Sequence, residues 1–87
     1  METLTQAELL EKVRTAFQSA FNVNPHSITM DTVPDDIPHW DSMGHVTLAG
    51  SLEQAFGLPL DVDDLMAMEN VREICRILCA KLSRIHG

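Results

Sequence analysis

Residues 39–57 read HWDSMGHVTLAGSLEQAFG, and they contain the pattern of the central helix. Along it, apolar residues recur on one side at three- and four-residue spacing: Leu48, Leu52, Ala55 and Phe56. Gly57 follows directly, and glycine is the residue that most readily adopts the left-handed conformation that ends a helix. The stretch therefore predicts a helix from Ser42 to Phe56 whose apolar side faces a core.

The opposite side of this predicted helix is unusual for a surface. It carries Met43, Val46, Thr47, Gly50 and Glu53. Met43 and Val46 are apolar, and glycine lowers helix propensity. Scattered exposed apolar residues are common, so one interpretation is chance exposure together with contact with the preceding loop. The other interpretation is a docking surface for other proteins, flat enough at Gly50 to admit a close partner.

Two more long helices are predicted towards the ends of the chain. Thr5 and Glu8 have the spacing of a capping box, and apolar residues then recur at helical spacing over residues 5–21. Asn70 and Glu73 have the same spacing in front of another apolar stripe. Each pair predicts the start of a helix.

The connections complete the predicted architecture. Residues 23–41 contain three prolines and form a long loop, which is uncommon in a compact domain and often functional. Its apolar residues are expected to pack onto the helices: Val23, Ile28, Val33 and Ile37. Residues 58–69 suit a short irregular helix, and no segment alternates as a strand would. The predicted fold is all-α, a four-helix bundle of three main helices and one short helix, in a single domain over residues 1–87.

Charge is distributed unevenly along the chain. There are 13 acidic and 6 basic residues, and no Lys or Arg occurs between residues 15 and 71. That stretch contains Asp31, Asp35, Asp36, Asp41, Glu53, Asp61, Asp63, Asp64 and Glu69. Such a surface repels nucleic acid and anionic membranes and attracts a basic partner, although net charge also simply keeps a small protein soluble. With no secretory signal and no apolar span, a cytoplasmic protein is expected.

Other candidate sites are weak. Cys75 and Cys79 are expected to be a buried structural pair, since no second pair of metal ligands accompanies them. Residues 61–64 lack the glycine and the distal Glu of a calcium loop, and the four histidines lack metal-ligand spacing. Neither a metal site nor a hydrolase is predicted. We expect His45 to be packed or hydrogen-bonded, and Trp40 to anchor the loop in the core in preference to contacting partners.

Ser42 stands directly after Asp41 at the predicted start of the central helix. A serine in this place is most often an N-cap. A phosphate on its hydroxyl would also be favoured, because helix N-termini attract anions, although the neighbouring carboxylates oppose a negative group. The residues alone leave both interpretations open.

The motif HWDSMGHV at residues 39–46 resembles the Asp-Ser-Leu signature of acyl carrier proteins. The resemblance continues through the second helix and through Asn70 and Val71 at the start of the last helix, so it covers almost the whole chain. The form with Trp40 is most similar to carriers of secondary-metabolite pathways, polyketide and hybrid ones included, many of them freestanding.

This resemblance implies an acyl-carrier-like bundle that is not an enzyme. A phosphopantetheinyl transferase would attach the 4′-phosphopantetheine of coenzyme A to Ser42, and the thiol of that arm would hold an acyl intermediate as a thioester. The implied partners also include an acyl-activating ligase or an acyltransferase and downstream synthase or tailoring enzymes with basic docking surfaces; the carrier itself is expected to be a monomer. An aminoacyl or peptidyl carrier is one alternative, and a helical interaction module whose serine is only a cap is another.

The resemblance also implies a set of partner-binding residues. Asp41 would help recognition, and Met43 stands where the family usually has Leu, with Val46 one turn further on. Carriers of the fatty-acid type have several acids along this helix, whereas here only Glu53 remains. Partners are therefore expected to contact Thr47 and Gly50 on the helix but to depend more on the acids outside it, and general fatty-acid synthase enzymes should dock poorly. These outer acids are Asp35, Asp36, Asp61, Asp63 and Asp64.

Overall fold

The computed structural model describes residues 5–86, with side chains described from Thr5 to Leu82. It contains four α-helices: α1 (Gln6–Phe21), α2 (Ser42–Phe56), α3 (Val62–Ala67) and α4 (Val71–His86). The long connection between α1 and α2 holds two single turns of 3₁₀ helix, Pro25–Ser27 and Pro34–Asp36. No strand occurs in this part of the chain. The predicted all-α bundle of three main helices and one short helix is confirmed.

The helix ends follow the predicted capping signals. Thr5 Oγ1 accepts a hydrogen bond from Glu8 N at 3.1 Å, and Glu8 Oε1 accepts one from Thr5 N at 2.9 Å. The hydrogen bond from the Thr5 backbone lowers the pKa of Glu8. Asn70 Oδ1 accepts from Glu73 N at 2.8 Å and so caps α4. Gly57 ends α2 with a φ of 66°, as its position predicts.

The core lies between α1, α2 and α4, whose apolar stripes face inward. Its fully buried residues include Val13, Phe17, Leu48, Leu52, Ile74 and Leu78. Trp40 joins this core, because its indole meets the Phe17 ring edge-on with the ring centroids 5.0 Å apart. Trp40, which directly precedes the Asp-Ser motif, is therefore anchored in the core, and its predicted role is confirmed.

The loop packs as predicted at Ile28 and Ile37, which are buried, and Val23 is half-buried. The prediction is wrong for Val33, whose side chain is 38% exposed. Neighbouring side chains in extended backbone point to opposite sides, and here Thr32 takes the inner position. The Thr32 carbonyl oxygen accepts a hydrogen bond from Val71 N at 3.0 Å, which ties the loop to the start of α4.

The two cysteines differ in environment. Cys75 is buried, and desolvation, with a further contribution from Cys79, raises the pKa of its thiol to about 11. Cys79 is exposed, so the prediction of a buried pair is wrong. A separation of four residues turns a helix by about 400°, so Cys79 lies about 40° beyond Cys75 around the helix, on the side that carries the exposed Arg72 and Arg76.

The short helix α3 is held by its own caps and by one ion pair. Asp61 and Asp64 form a capping box at its start, with the side chain of each accepting from the backbone N–H of the other. Asp64 Oδ2 also lies 2.7 Å from Lys81 Nζ of α4. Desolvation raises the pKa of Asp64, but hydrogen bonds from Lys81 and Asp61 and the charge of Lys81 together outweigh it and leave the pKa lowered.

We expect Asp64 to stabilise the fold near neutral pH and to lose this effect in acid. Because its pKa is lower in the folded chain than in the unfolded chain, its contribution is present above the ordinary Asp value and is lost as pH falls through the lowered one. Asp64→Asn should lower the free energy of unfolding by about 1 kcal/mol near neutral pH. The difference between variant and wild type should shrink in acid, as measured by urea unfolding at both pH values.

Asp63→Asn is the matched control, since Asp63 is exposed on the same turn and makes no hydrogen bond or ion pair with a described residue. Asp63→Asn should leave the free energy of unfolding unchanged both near neutral pH and in acid. A stability gap between wild type and Asp64→Asn that stayed constant into acid would contradict the assignment.

Candidate functional site

At the start of α2, the N-cap and the serine of the motif are two different, adjacent residues. Asp41 has extended backbone, and its Oδ1 accepts a hydrogen bond from Gly44 N at 2.9 Å, so Asp41 is the N-cap. Ser42 is already the first helical residue, and its interpretation as the cap is therefore wrong. The Ser42 side chain is exposed, and its hydroxyl makes no hydrogen bond with any described residue. This leaves a primary hydroxyl free at the positive end of a helix.

Gly44 allows the preceding segment to lie close against this turn. His39 has a φ of 72°, in the left-handed region, and its carbonyl oxygen points at Gly44. A Cβ atom on Gly44 would overlap that oxygen and would lie 2.9 Å from Phe21 Cε1. Sequence reasoning missed this contact, because it depends on the path of the chain at His39.

An apolar cleft of about 470 Å³ opens beside Ser42. Ser42 and Asp41 lie at its rim, together with Glu69. Its walls come from the loop before α2, from α2, and from α3 and the segment after it: Pro34, Trp40, His45, Val46, Val62, Leu65, Met66 and Met68. The cleft was not predicted from the sequence, since it exists only where α3 packs beside α2.

His45 lies in the wall of this cleft. Its Nδ1 accepts a hydrogen bond from Trp40 Nε1 at 2.8 Å, and its Nε2 lies 2.7 Å from the Leu65 carbonyl oxygen. The indole and imidazole rings are stacked, with centroids 6.1 Å apart and planes inclined by 14°. The expectation of a packed and hydrogen-bonded histidine is confirmed.

The outer side of α2 is exposed, as its periodicity predicts. Met43 is 83% exposed and Val46 is 62% exposed, so the loop does not cover them. Thr47 and Gly50 lie exposed on the same helix. Glu53 differs, because it is half-buried and its Oε2 accepts a hydrogen bond from Leu60 N at 2.8 Å.

Two residues of α3 extend this exposed apolar side beyond what the sequence indicated. Val62 is 70% exposed and Met66 is 75% exposed, and both border the cleft, as Val46 does. We refer to Met43, Val46, Val62 and Met66 as the apolar surface. Sequence reasoning missed the α3 pair, because its short helix offered too few turns for a periodic signal.

The predicted partner-binding acids divide into two groups. Asp35 and Asp63 are exposed and free of hydrogen bonds to described residues. The others also have structural contacts: Asp36 accepts from Val33 N, Asp61 and Asp64 cap α3, and Asp64 pairs with Lys81. Both clusters lie next to cleft-lining residues, since Pro34 begins the turn that holds Asp35 and Asp36, and α3 carries the rest.

The described residues offer neither a metal cluster nor a membrane-spanning helix. Within them, no group of three or more His, Cys, Asp and Glu side chains could hold a metal ion. None of their helices is long and apolar enough to cross a membrane.

Comparison with known proteins identifies the family. Residues 11–78 match the phosphopantetheine attachment site family. An acyl carrier protein of Petrotoga mobilis (strain DSM 10674 / SJ95) is 28% identical over 80 residues, which cover 92% of this chain and 94% of the relative. Carrier proteins of this kind are not catalysts themselves and interact with transferases and synthases.

The geometry at the start of α2 fits the prosthetic group of that family. A hydroxyl that is exposed and free of hydrogen bonds to described residues stands at a helix N-terminus, where a phosphodiester is favoured, and an apolar cleft opens beside it. The family match extends across α2 and the cleft and covers most of the chain. The chain therefore belongs to the phosphopantetheine attachment site family, as a carrier protein with a covalently attached 4′-phosphopantetheine.

Proposed function

We propose that this protein is an acyl carrier protein in which Ser42 bears the phosphopantetheine arm and presents an acyl intermediate to the enzymes of a biosynthetic pathway. One observation carries the proposal. The free Ser42 hydroxyl lies at the rim of an apolar cleft of about 470 Å³. When bound, the group supplies a thiol that carries the cargo as a thioester, and the chain itself contributes position and recognition without catalysing a reaction.

Attachment requires little of the chain beyond an accessible oxygen. Ser42 Oγ attacks the pyrophosphate of coenzyme A, an O–P bond forms, the phosphoanhydride bond breaks, and adenosine 3′,5′-bisphosphate leaves. The hydroxyl proton passes to a base of the transferase. The N-terminus of α2 favours the new phosphodiester, whereas the Asp41 carboxylate opposes it, so magnesium held by the transferase offsets the charge.

The lining of the cleft favours an acyl cargo. Apolar side chains predominate in its lining, Trp40, Val46 and Leu65 among them, and each methylene of an alkyl chain that becomes fully buried there contributes about 0.8 kcal/mol. The flexible side chains of Met66 and Met68 allow the wall to adapt to different chains.

A second candidate, an aminoacyl or peptidyl carrier, is favoured by a different observation. Asp41 and Glu69 are exposed acidic residues among those that line the cleft. An ammonium group on a short cargo would gain from either carboxylate while leaving the apolar wall unused. The two cargo classes therefore predict different contacts within the same cleft.

The surface around the site defines the partners we propose. The apolar surface formed by Met43, Val46, Val62 and Met66 would dock against apolar side chains. Lys and Arg residues of the partner would surround that contact and meet exposed acids such as Asp35 and Asp63. We propose such surfaces on the phosphopantetheinyl transferase, on the acyl-activating ligase or acyltransferase, and on the downstream synthase or tailoring enzymes.

The proposed setting is a secondary-metabolite pathway, as for polyketide and hybrid products, with this chain as a monomeric cytoplasmic single-domain carrier over residues 1–87. Because α2 holds the uncharged residues Gly44, Thr47 and Gly50 where carriers of the fatty-acid type have acids, general fatty-acid synthase enzymes should turn over this carrier poorly.

The nature of the cargo can be tested by loading the protein with two arms. A transferase of broad specificity would attach octanoyl-phosphopantetheine or alanyl-phosphopantetheine from the corresponding coenzyme A thioester. We expect the octanoyl arm to shift the NMR amide signals of Val46, Leu65 and Met68, and the alanyl arm to leave them near their positions in the unacylated holo protein. The amide of Ala80, an exposed residue of α4 that does not line the cleft, provides an internal control. Larger shifts with the alanyl arm would favour the aminoacyl carrier instead.

A further inference from the structure

His45 makes a side-chain hydrogen bond that joins α2 to α3, and no other described residue makes one between these two helices. The partners of its ring determine where its proton lies. Trp40 Nε1 can only donate, so His45 Nδ1 must be the acceptor of their 2.8 Å hydrogen bond. The proton is therefore on Nε2, which donates to the Leu65 carbonyl oxygen at 2.7 Å. Trp40 thus selects the one neutral tautomer that can bind α3.

The helix α3 depends on contacts of this kind. It has six residues, too few to be stable alone. Leu65 lies in its last turn, where carbonyl groups lack partners within the helix, and its oxygen accepts a longer hydrogen bond, 3.2 Å, from Met68 N. Lys81 holds the first turn through Asp64, whereas His45 holds the last turn.

The same contact lies in the wall of the cleft. Trp40, His45 and Leu65 all line it, and Trp40 is fixed in turn by its edge-on contact with the buried Phe17 ring. A continuous series of contacts therefore runs from the core through His45 to α3. Release of the Leu65 carbonyl would remove the side-chain hydrogen bond that ties the last turn of α3 to α2.

We propose that His45 is a positioning residue whose Nε2–H group latches the last turn of α3 to α2 and so sets how far the cleft beside Ser42 opens. The significance of the latch for cargo rests on the proposed function, but the latch itself is a property of the polypeptide. It acts through Leu65 and makes no contact with the reacting atoms of the arm.

The test compares two amide replacements that reach different ring positions. The side-chain amide introduced by His45→Gln extends to the place of Nε2 and can still donate to the Leu65 oxygen, whereas the shorter amide introduced by His45→Asn reaches only the place of Nδ1. The Asn variant should raise solvent exchange of the Leu65 and Met68 amides, measured by NMR, by about tenfold, while the Gln variant should stay within about threefold of wild type. A role in packing alone would make the two variants alike.

Two controls make the comparison specific. Gln54→Asn, at an exposed position of α2, measures the difference in helix propensity between these residues and should leave exchange in α3 unchanged. Amides of the core helices, such as that of Ile74, should exchange as in wild type, which shows that each variant is folded. In the wild type, ¹⁵N spectra of the His45 ring should show the proton on Nε2. A proton on Nδ1, or equal exchange in the Gln and Asn variants, would overturn the proposal.

A loaded protein separates the latch from the proposed function. With the octanoyl arm on Ser42, hydroxylamine should cleave the thioester at different rates in wild type and His45→Asn, and His45→Gln should follow wild type. Failure of the transferase to add the arm would count against the proposed function. The amide exchange data would still show whether His45 holds α3 to α2. Addition of the arm with equal cleavage in all three proteins would overturn the link between latch and cleft.

Discussion

Gly44→Ala should lower the free energy of unfolding by about 2–3 kcal/mol, because the added methyl group has no room. It would overlap the carbonyl oxygen of His39, and backbone gives way less easily than the end of a flexible side chain. It would also press on Phe21, which packs beside Phe17 of the core. In a domain of this size, such a loss corresponds to a fall in melting temperature of roughly 10 °C or more.

The clash can be relieved only by moving the segment that leads into the site. If His39 moves away from α2, the segment up to Asp41 moves with it, and the hydrogen bond from Gly44 N to Asp41 Oδ1 weakens. Loss of that N-cap would add about 1 kcal/mol to the cost. The substitution therefore disturbs both the core contact and the turn that presents Ser42.

Gly50→Ala is the matched control on the same helix. A Cβ atom at Gly50 would meet nothing within 4 Å, and alanine has the higher helix propensity. We expect a gain of about 0.5–1 kcal/mol. Thermal and urea unfolding of both variants measure the contrast. If Gly44→Ala were as stable as wild type, or more stable as Gly50→Ala is expected to be, the close approach of the His39 carbonyl to Gly44 would be contradicted.

The long helices could be predicted because their signals are local. Thr5, Asn70 and Gly57 mark helix ends through contacts within one turn, and the apolar stripes record which side faces the core. The motif around Ser42 is likewise contiguous in sequence. Local patterns of this kind can be recognised without knowledge of the tertiary structure.

The features that required the structure are those that join distant segments. Gly44 matters because of the chain path at His39, and His45 matters because α3 brings Leu65 to within 2.7 Å of its ring. The cleft itself exists only between packed elements. The interpretation of Ser42 as an N-cap was wrong for a local reason, since Asp41 and Ser42 are both good N-caps and only their backbone conformations distinguish them.

Ser42→Ala should abolish attachment of phosphopantetheine completely while leaving the fold intact. The hydroxyl is exposed and bonded to no described residue, and alanine is a good helix former, so the free energy of unfolding should change by less than about 0.5 kcal/mol. The attachment reaction, by contrast, has no other oxygen at this position. Loss of function without loss of stability is the result expected of an attachment residue.

Ser51→Ala provides the matched control. Ser51 is on the same helix, is half-buried, and lies among α1 residues such as Ala16, away from the cleft. The variant should accept the arm as wild type does. Circular dichroism of all three proteins would show that they are equally folded before the transferase is added.

The most direct measurement is the intact mass of the three proteins after incubation with coenzyme A, magnesium and a transferase of broad specificity. We predict the mass of one phosphopantetheinyl group on the wild type and on Ser51→Ala, and none on Ser42→Ala. Addition to the Ser42→Ala variant would place the arm on another residue. No addition to the folded wild type with either of two unrelated transferases would contradict the assignment of Ser42 as the attachment residue.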